Sequence, residues 1–267
     1  MTSFSDRLFV SAIVLSTAFF ILFFLGILVS MAWYTDLKTL TSTILSEEIV
    51  FSIKLSLVTA TIAVLLSSFI SIPAAYMMSR MNFPCKNIVD TLLDIPIVMP
   101  PISLGAALLM FFSTSAGRAI QDTTLEFVFQ QPGIVLAQFT VISAIYIRLM
   151  KSTFDNIDPM YEKVARTLRC DRLQAFFKVT LPLARNGLFA AIILSWARAV
   201  GEFGATVTLA GATRMKTETL PIAIYLNLAT ADIEKTVAIV FILTIISVVV
   251  LFAIRKFAGK GPLLSIA

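Results

Sequence analysis

Charge-free apolar stretches, parted by short polar intervals, recur along the chain. Leu8 to Thr35 and Leu55 to Ser79 carry no charge. At about 1.5 Å per residue, either one as a helix can cross roughly 30 Å of hydrocarbon. The same pattern predicts helices near residues 8–35, 50–79, 94–113, 132–150, 183–210 and 236–256. One all-α membrane domain of six transmembrane helices over residues 1–267 is therefore expected. Prolines punctuate it. Pro73 can kink the second helix, Pro96 opens the third run, Pro100 and Pro101 break that run, and Pro132 starts the fourth helix. Trp33 and Tyr34 suit an interface, and Ser30 and Ala32 are spaced like a signal-peptidase site. The apolar run before them is too long for a cleaved leader, so a retained anchor is expected. Residues 113–131 read as a polar outer loop.

Between the fourth and fifth runs the pattern changes. Residues 155–182 form a polar stretch in which Asp158 and Pro159 supply an N-cap and a pre-set first helical residue. Met160, Val164 and Leu168 then fall at four-residue spacing on one face, with Glu162, Lys163 and Arg166 on the others. Asp171 can cap a second short helix carrying Leu173, Phe176 and Phe177, which Leu181 and Pro182 should end. Two short amphipathic helices joined at Arg169 and Cys170 result. Such a pair either docks on a partner or lies on lipid headgroups.

Composition narrows the chemistry. The chain of 267 residues is 58% hydrophobic and 14% charged, the balance of a polytopic membrane protein. The net charge of +5 is explained by orientation, because no basic patch interleaves with aromatics as a nucleic-acid surface requires. With both termini in the cytosol, 14 Lys and Arg residues fall on inner segments and 6 on outer ones, Arg198 lying within a helix. Arg255, Lys256 and Lys260 belong to the inner set. A multi-pass protein of the cell membrane is implied. Histidine is absent, which removes imidazole acid–base chemistry and His metal ligands. Cys85 and Cys170 lack any Cys-x-x-Cys partner and read as reduced thiols. No phosphate-cradling G-x-x-x-x-G-K-[ST] loop occurs, so the chain itself is not expected to be an ATPase or to hold a cofactor or metal.

Two strings lie where a cargo would pass. Pro100 and Pro101 stop regular helix within a spanning run, which lipid tolerates only against protein or a water-lined cavity; the alternative is a kink that serves packing. In the fifth run, Arg198 and Glu202 are four residues apart on one helical face, either as pathway groups or as an ion pair that only neutralises itself. Gly201 and Gly204, flanking Phe203, allow another backbone to come close. Thr206 and Thr208 offer uncharged donors, or bond back to their own helix.

The spacing Lys163, Val164, Ala165, three residues, Arg169, nine residues, Val179, one residue, Leu181, Pro182 resembles the EAA signature of ABC importer permeases. Lys163 stands where that family prefers an acidic residue, and Arg169 replaces its glycine. PIVMPPISLG resembles the same region of oxyanion permeases, and GEFGATVTLAG followed by KTETLPIAIY resembles their molybdate and tungstate branch, with sulfate permeases sharing GEFGA. The resemblance implies a type I, MetI-like permease fold. It also makes the segment of Glu162, Lys163, Val164, Ala165, Arg169, Leu181 and Pro182 a coupling helix. Implied partners are a second copy of the chain, two ATPase subunits holding ATP and Mg, an extracytoplasmic binding protein and membrane lipid. Pro100, Pro101, Arg198, Gly201, Glu202, Phe203, Gly204 and Thr206 become pathway candidates. Without the resemblance, an ion-coupled transporter or a membrane enzyme stays open, although Glu202 alone answers the demand for intramembrane acids.

Overall fold

The computed structural model describes residues 4–123 and 125–257, and Lys260 lies outside them. Every regular element among the described residues is helical. Helix α1, Phe4–Ala32, exposes large apolar side chains around its whole circumference, from Leu8 and Phe9 to Leu25 and Val29. A helix with no polar face is stable only against hydrocarbon or protein. The interval after α1 folds into α2, Leu37–Ile44, whose N-cap Asp36 accepts a 2.7 Å bond from the Thr39 amide.

Helix α3, Glu47–Arg80, continues through Pro73 to its last turn. Its buried face is built of small residues, Ser52, Ser56, Ala60, Ala63, Ser67, Ser71 and Ala75, which let α7, Gln131–Asp155, approach closely. Polar side chains register the pair: Ser67 meets Ser143 at 3.3 Å and Ser68 donates to the Tyr146 hydroxyl at 2.9 Å. Between them the core is filled by Tyr146, Met150 and Phe154, all fully buried.

The third apolar run departs from expectation. Helix α4, Lys86–Val98, begins eight residues before the expected start at 94 and contains Pro96 within it, while α5, Pro101–Ser113, leaves at 108°. The bend falls at Met99 and Pro100, where two missing amides and an extended Pro100 end one helix and start the next. The expected outer loop at 113–131 contains α6, Ser115–Thr123, tied back by Gln121, whose side-chain oxygen accepts from the amides of Phe127 and Val128. Helix α7 runs five residues beyond the expected Met150.

After α7 come α8, Met160–Thr167, and α9, Arg172–Ala175, then a π-helical turn, Phe176–Thr180, and α10, Leu181–Leu183. The expected stop at Pro182 is not made. Pro182 cannot donate to the Lys178 carbonyl and its ring crowds that group, so the turn before it widens, with the Leu181 amide reaching Phe176. The path then bends by 73° into α11, Arg185–Val200. The fifth run is not continuous to Ala210 either. It breaks at Gly201 to Phe203 and resumes as α12, Gly204–Leu209. A buried apolar helix that the pattern left unassigned follows, α13, Leu220–Ala229, opened by Thr219 and Pro221; α14, Ile233–Phe257, closes the bundle. Among the described residues four helices, α1, α3, α7 and α14, are long and apolar enough to cross a membrane, and up to six spans result if each bent pair counts as one.

Candidate functional site

The segment after α7 forms a knob with a left-handed end. Asp158 receives the Met160 amide at 2.8 Å, as its capping role requires; Met160, Val164 and Leu168 form an exposed apolar ridge on α8, and Tyr161, Leu173 and Phe177 are exposed as well. Asp171 caps α9 in a reciprocal box with Gln174. Between the helices, Arg169 has a φ of +66°, with its amide on Arg166 and the Cys170 amide on Ala165, both at 3.2 Å. That is a Schellman ending, which glycine adopts without steric penalty and arginine adopts at a cost of about 1 kcal/mol. The backbone turn is thus made despite the loss of glycine at this position.

The expected coupling residues divide by direction. Lys163, Val164 and Arg169 are exposed, and Ala165 is buried at the root of the knob. Leu181 and Pro182 lie beyond the π turn, at the bend into α11. Glu162 faces the membrane domain instead: its carboxylate receives the Tyr76 hydroxyl at 2.7 Å and Arg80 Nε at 2.9 Å. Arg80 Nη2 also donates to the Ile157 carbonyl at 2.6 Å. Tyr76 and Arg80 escaped the pattern analysis because nothing in their local spacing announces a partner 80 residues on. A second inner clamp was missed for the same reason: Arg148 of α7 grips Asp90, at 2.8 Å, and Asp94 of α4.

The second group of candidates sits where α5 meets α12, and the fold brings the two proline and glycine strings into contact. A Cβ on Gly204 would lie 3.0 Å from the Ile102 amide nitrogen and 3.2 Å from Pro101 Cβ. One on Gly105 would lie 2.7 Å from the Ala205 carbonyl oxygen. Backbone therefore packs on backbone from Pro101 to Gly105. Gly201 does not share this role: nothing approaches its Cβ position closer than 3.7 Å, and its φ of −84° suits any residue.

Glu202 lies in the gap between α11 and α12 and is 1% exposed. Its carboxylate accepts the Ala205 amide at 2.9 Å, which places a negative charge on the first turn of α12, and pairs with Arg198 Nη1 at 2.6 Å. At the end of α11 the Ala199 carbonyl accepts the Glu202 amide at 3.1 Å and also takes a 3.0 Å bond from the buried Gln138 side chain. A lone amide in the apolar run of α7 was the available signal for Gln138. Phe203 packs against Tyr225 of α13, with ring centroids 5.4 Å apart. Thr208 bonds back to Gly204, whereas the buried Thr206 hydroxyl has no partner among the described residues.

On the opposite end of α3 from the knob, Glu48 pairs with Arg214 at 2.9 Å beside the fully buried Glu218. Burial, and then the Glu48 carboxylate, push the Glu218 carboxyl up to about 7, against the pull of the Met215 amide and Arg214. No cluster of metal-ligating side chains exists among the described residues.

The geometry has counterparts among known proteins. Over 226 residues the chain is 34% identical to the molybdate/tungstate transport system permease protein WtpB of Pyrococcus furiosus, covering 85% of each. It is 28% identical over 233 residues to the sulfate transport system permease protein CysT of Salmonella typhimurium, covering 86% of this chain and 82% of that one. Its fold matches a chain in the crystal structure of a bacterial alginate ABC transporter in complex with an alginate-bound periplasmic protein, with a TM-score of 0.78 at 16% identity over 96% and 97% of the two chains. Residues 69–260 match the profile of the binding-protein-dependent transport system inner membrane component, a span that holds the knob, the α5–α12 contact and the Glu202 gap, and the chain belongs to that family.

Proposed function

We propose that the chain is the permease subunit of an ATP-driven ABC importer whose cargo is a tetrahedral oxyanion, molybdate or tungstate. The observation that carries this reading is the knob, an exposed apolar ridge on two capped helices held to the membrane domain by Glu162. A solvent-facing ridge of this kind gains from burial in a groove of a soluble partner, here an ATPase subunit carrying ATP and Mg. Two copies of the chain would form the pathway about a two-fold axis, each presenting one knob to one of two ATPase subunits. An extracytoplasmic binding protein would deliver the cargo, with both chain termini in the cytosol.

Transport proceeds by alternating access in this reading: ATP closes the motor pair, the knobs approach each other, and the membrane dimer opens outward. Pro100, Pro101, Arg198, Gly201, Glu202, Phe203, Gly204 and Thr206 border the pathway. Arg198, about a third exposed and already neutralised by Glu202, attracts an anion without trapping it, so release stays fast. A sulfate or thiosulfate permease is the second reading, favoured by the likeness to the Salmonella sulfate permease.

The test is to express the chain with its chromosomal neighbours and reconstitute it in proteoliposomes. An ATPase subunit should co-purify, and molybdate uptake should need ATP and the binding protein, with tungstate competing better than sulfate. Sulfate competing best would select the second reading. Absence of any associated nucleotide-binding chain, or uptake driven by an ion gradient alone, would refute both.

A further inference from the structure

We propose that α3 is the relay that carries movement of the knob to the outer face of the membrane domain, with Tyr76 and Arg80 as its positioning residues. This rests on the importer reading above and assigns a role to residues outside the coupling signature. One turn of α3 holds everything that leaves α7. Tyr76 and Arg80 take the two oxygens of Glu162, Arg80 also holds the Ile157 carbonyl, and Ser79 donates to Asp155, itself paired with Lys151 at 3.0 Å. The Tyr76 ring is wedged edge-on between Phe154 and Phe176, at centroid distances of 5.7 and 4.8 Å. Side-chain exposures of 10% for Arg80 and 14% for Glu162 leave little water to weaken the pair.

The other end of the same helix holds the segment that follows α12. Glu48 pairs with Arg214, and Ser56 accepts the Leu220 amide at 2.8 Å, anchoring the start of α13. The 34 residues from Glu47 to Arg80 form one helix of about 50 Å, continuous through Pro73 and packed along α7 through small residues. The competing route from the knob runs along the chain through a π turn and a 73° bend, a softer connection. A push on α8 is therefore passed through Glu162 to α3, and through α3 to residues 211–220, the segment that follows α12. Coupling of this kind requires an element that both ends bias, and α3 is fixed at both.

The experiment uses the full assembly in proteoliposomes and reads cargo taken up per ATP hydrolysed, with ATPase co-purification as the measure of assembly. Arg80→Gln, Tyr76→Phe and the distant Arg214→Gln are each expected to lower that ratio about tenfold, the range of ordinary coupling energies. The exchange of charges in the double variant Arg80→Glu, Glu162→Arg should recover a large part of what Arg80→Glu alone loses. A wild-type ratio in Arg80→Gln would overturn the proposal, as would a charge exchange no better than the single variant. Variants that lose the ATPase subunit in step with transport would overturn it too, because Arg80 would then act in docking or folding. A wild-type chain that recruits no ATPase refutes the importer reading itself. A wild-type assembly that transports, with these variants unaffected, refutes only the relay.

Discussion

Arg169 holds a left-handed backbone with a side chain that the conformation disfavours, and replacing it with glycine isolates that effect. The φ of +66° costs a non-glycine residue about 1–2 kcal/mol, while glycine loses about 0.4–1 kcal/mol more backbone entropy on folding. The Arg169→Gly knob should therefore gain about 0.5–1 kcal/mol, because the two Schellman bonds at Arg166 and Ala165 form in either case. Hydrogen exchange of residues 168–170 in the purified protein reads the gain locally, as roughly two- to fivefold greater protection, since about 1.4 kcal/mol corresponds to a factor of ten. Arg169→Ala separates backbone from charge. It removes the guanidinium and keeps the Cβ, so it should gain nothing. Equal protection in the alanine and glycine variants would show that charge, not φ, was at issue; reduced protection in glycine would refute the strain argument outright.

Other substitutions follow from the same geometry. Gly105→Ala should destabilise the domain by about 1–3 kcal/mol and Gly204→Ala by less, from clashes at 2.7 and 3.0 Å, whereas Gly201→Ala should leave the thermal midpoint unchanged. Equal shifts in all three would contradict the backbone contact of α5 with α12. Glu202→Ala strips the partner from Arg198 and the acceptor from the Ala205 amide, so transport should fall more than membrane accumulation; parallel loss of both would mark a purely structural pair. Glu218 binds its proton more tightly folded than unfolded, so its contribution to stability is complete below about 4.5 and declines as pH rises through about 7. Thermal midpoints of Glu218→Gln should lose that downward slope between pH 4.5 and 7, and an unaltered slope would assign it to another group.

Hydropathy and capping made the long helices and the α8–α9 pair legible, because apolar length and Asp or Pro at a helix start act locally. What the sequence hid was long-range. The break after Gly201 is written in no proline; it depends on Gln138, Glu202 and Arg198 absorbing the freed backbone and charge across three elements. Likewise α13 is too short for a spanning pattern, and its place is set by Ser56 of α3. Glu162 immediately precedes the recognised signature, yet its inward direction is fixed by Tyr76 and Arg80, whose side chains are distant in sequence. The Pro182 stop failed because a widened turn absorbs a proline that a regular helix would reject.

That widened turn, Phe176–Thr180, amounts to one surplus residue in the thread that joins the knob to α11. Each residue of an α-helix advances the chain by about 100° of rotation, so the surplus sets the compass bearing of the knob relative to α11. Removing one amino acid there would tidy the helix and swing the apolar ridge about a quarter of a circle, leaving a sound peg that points elsewhere.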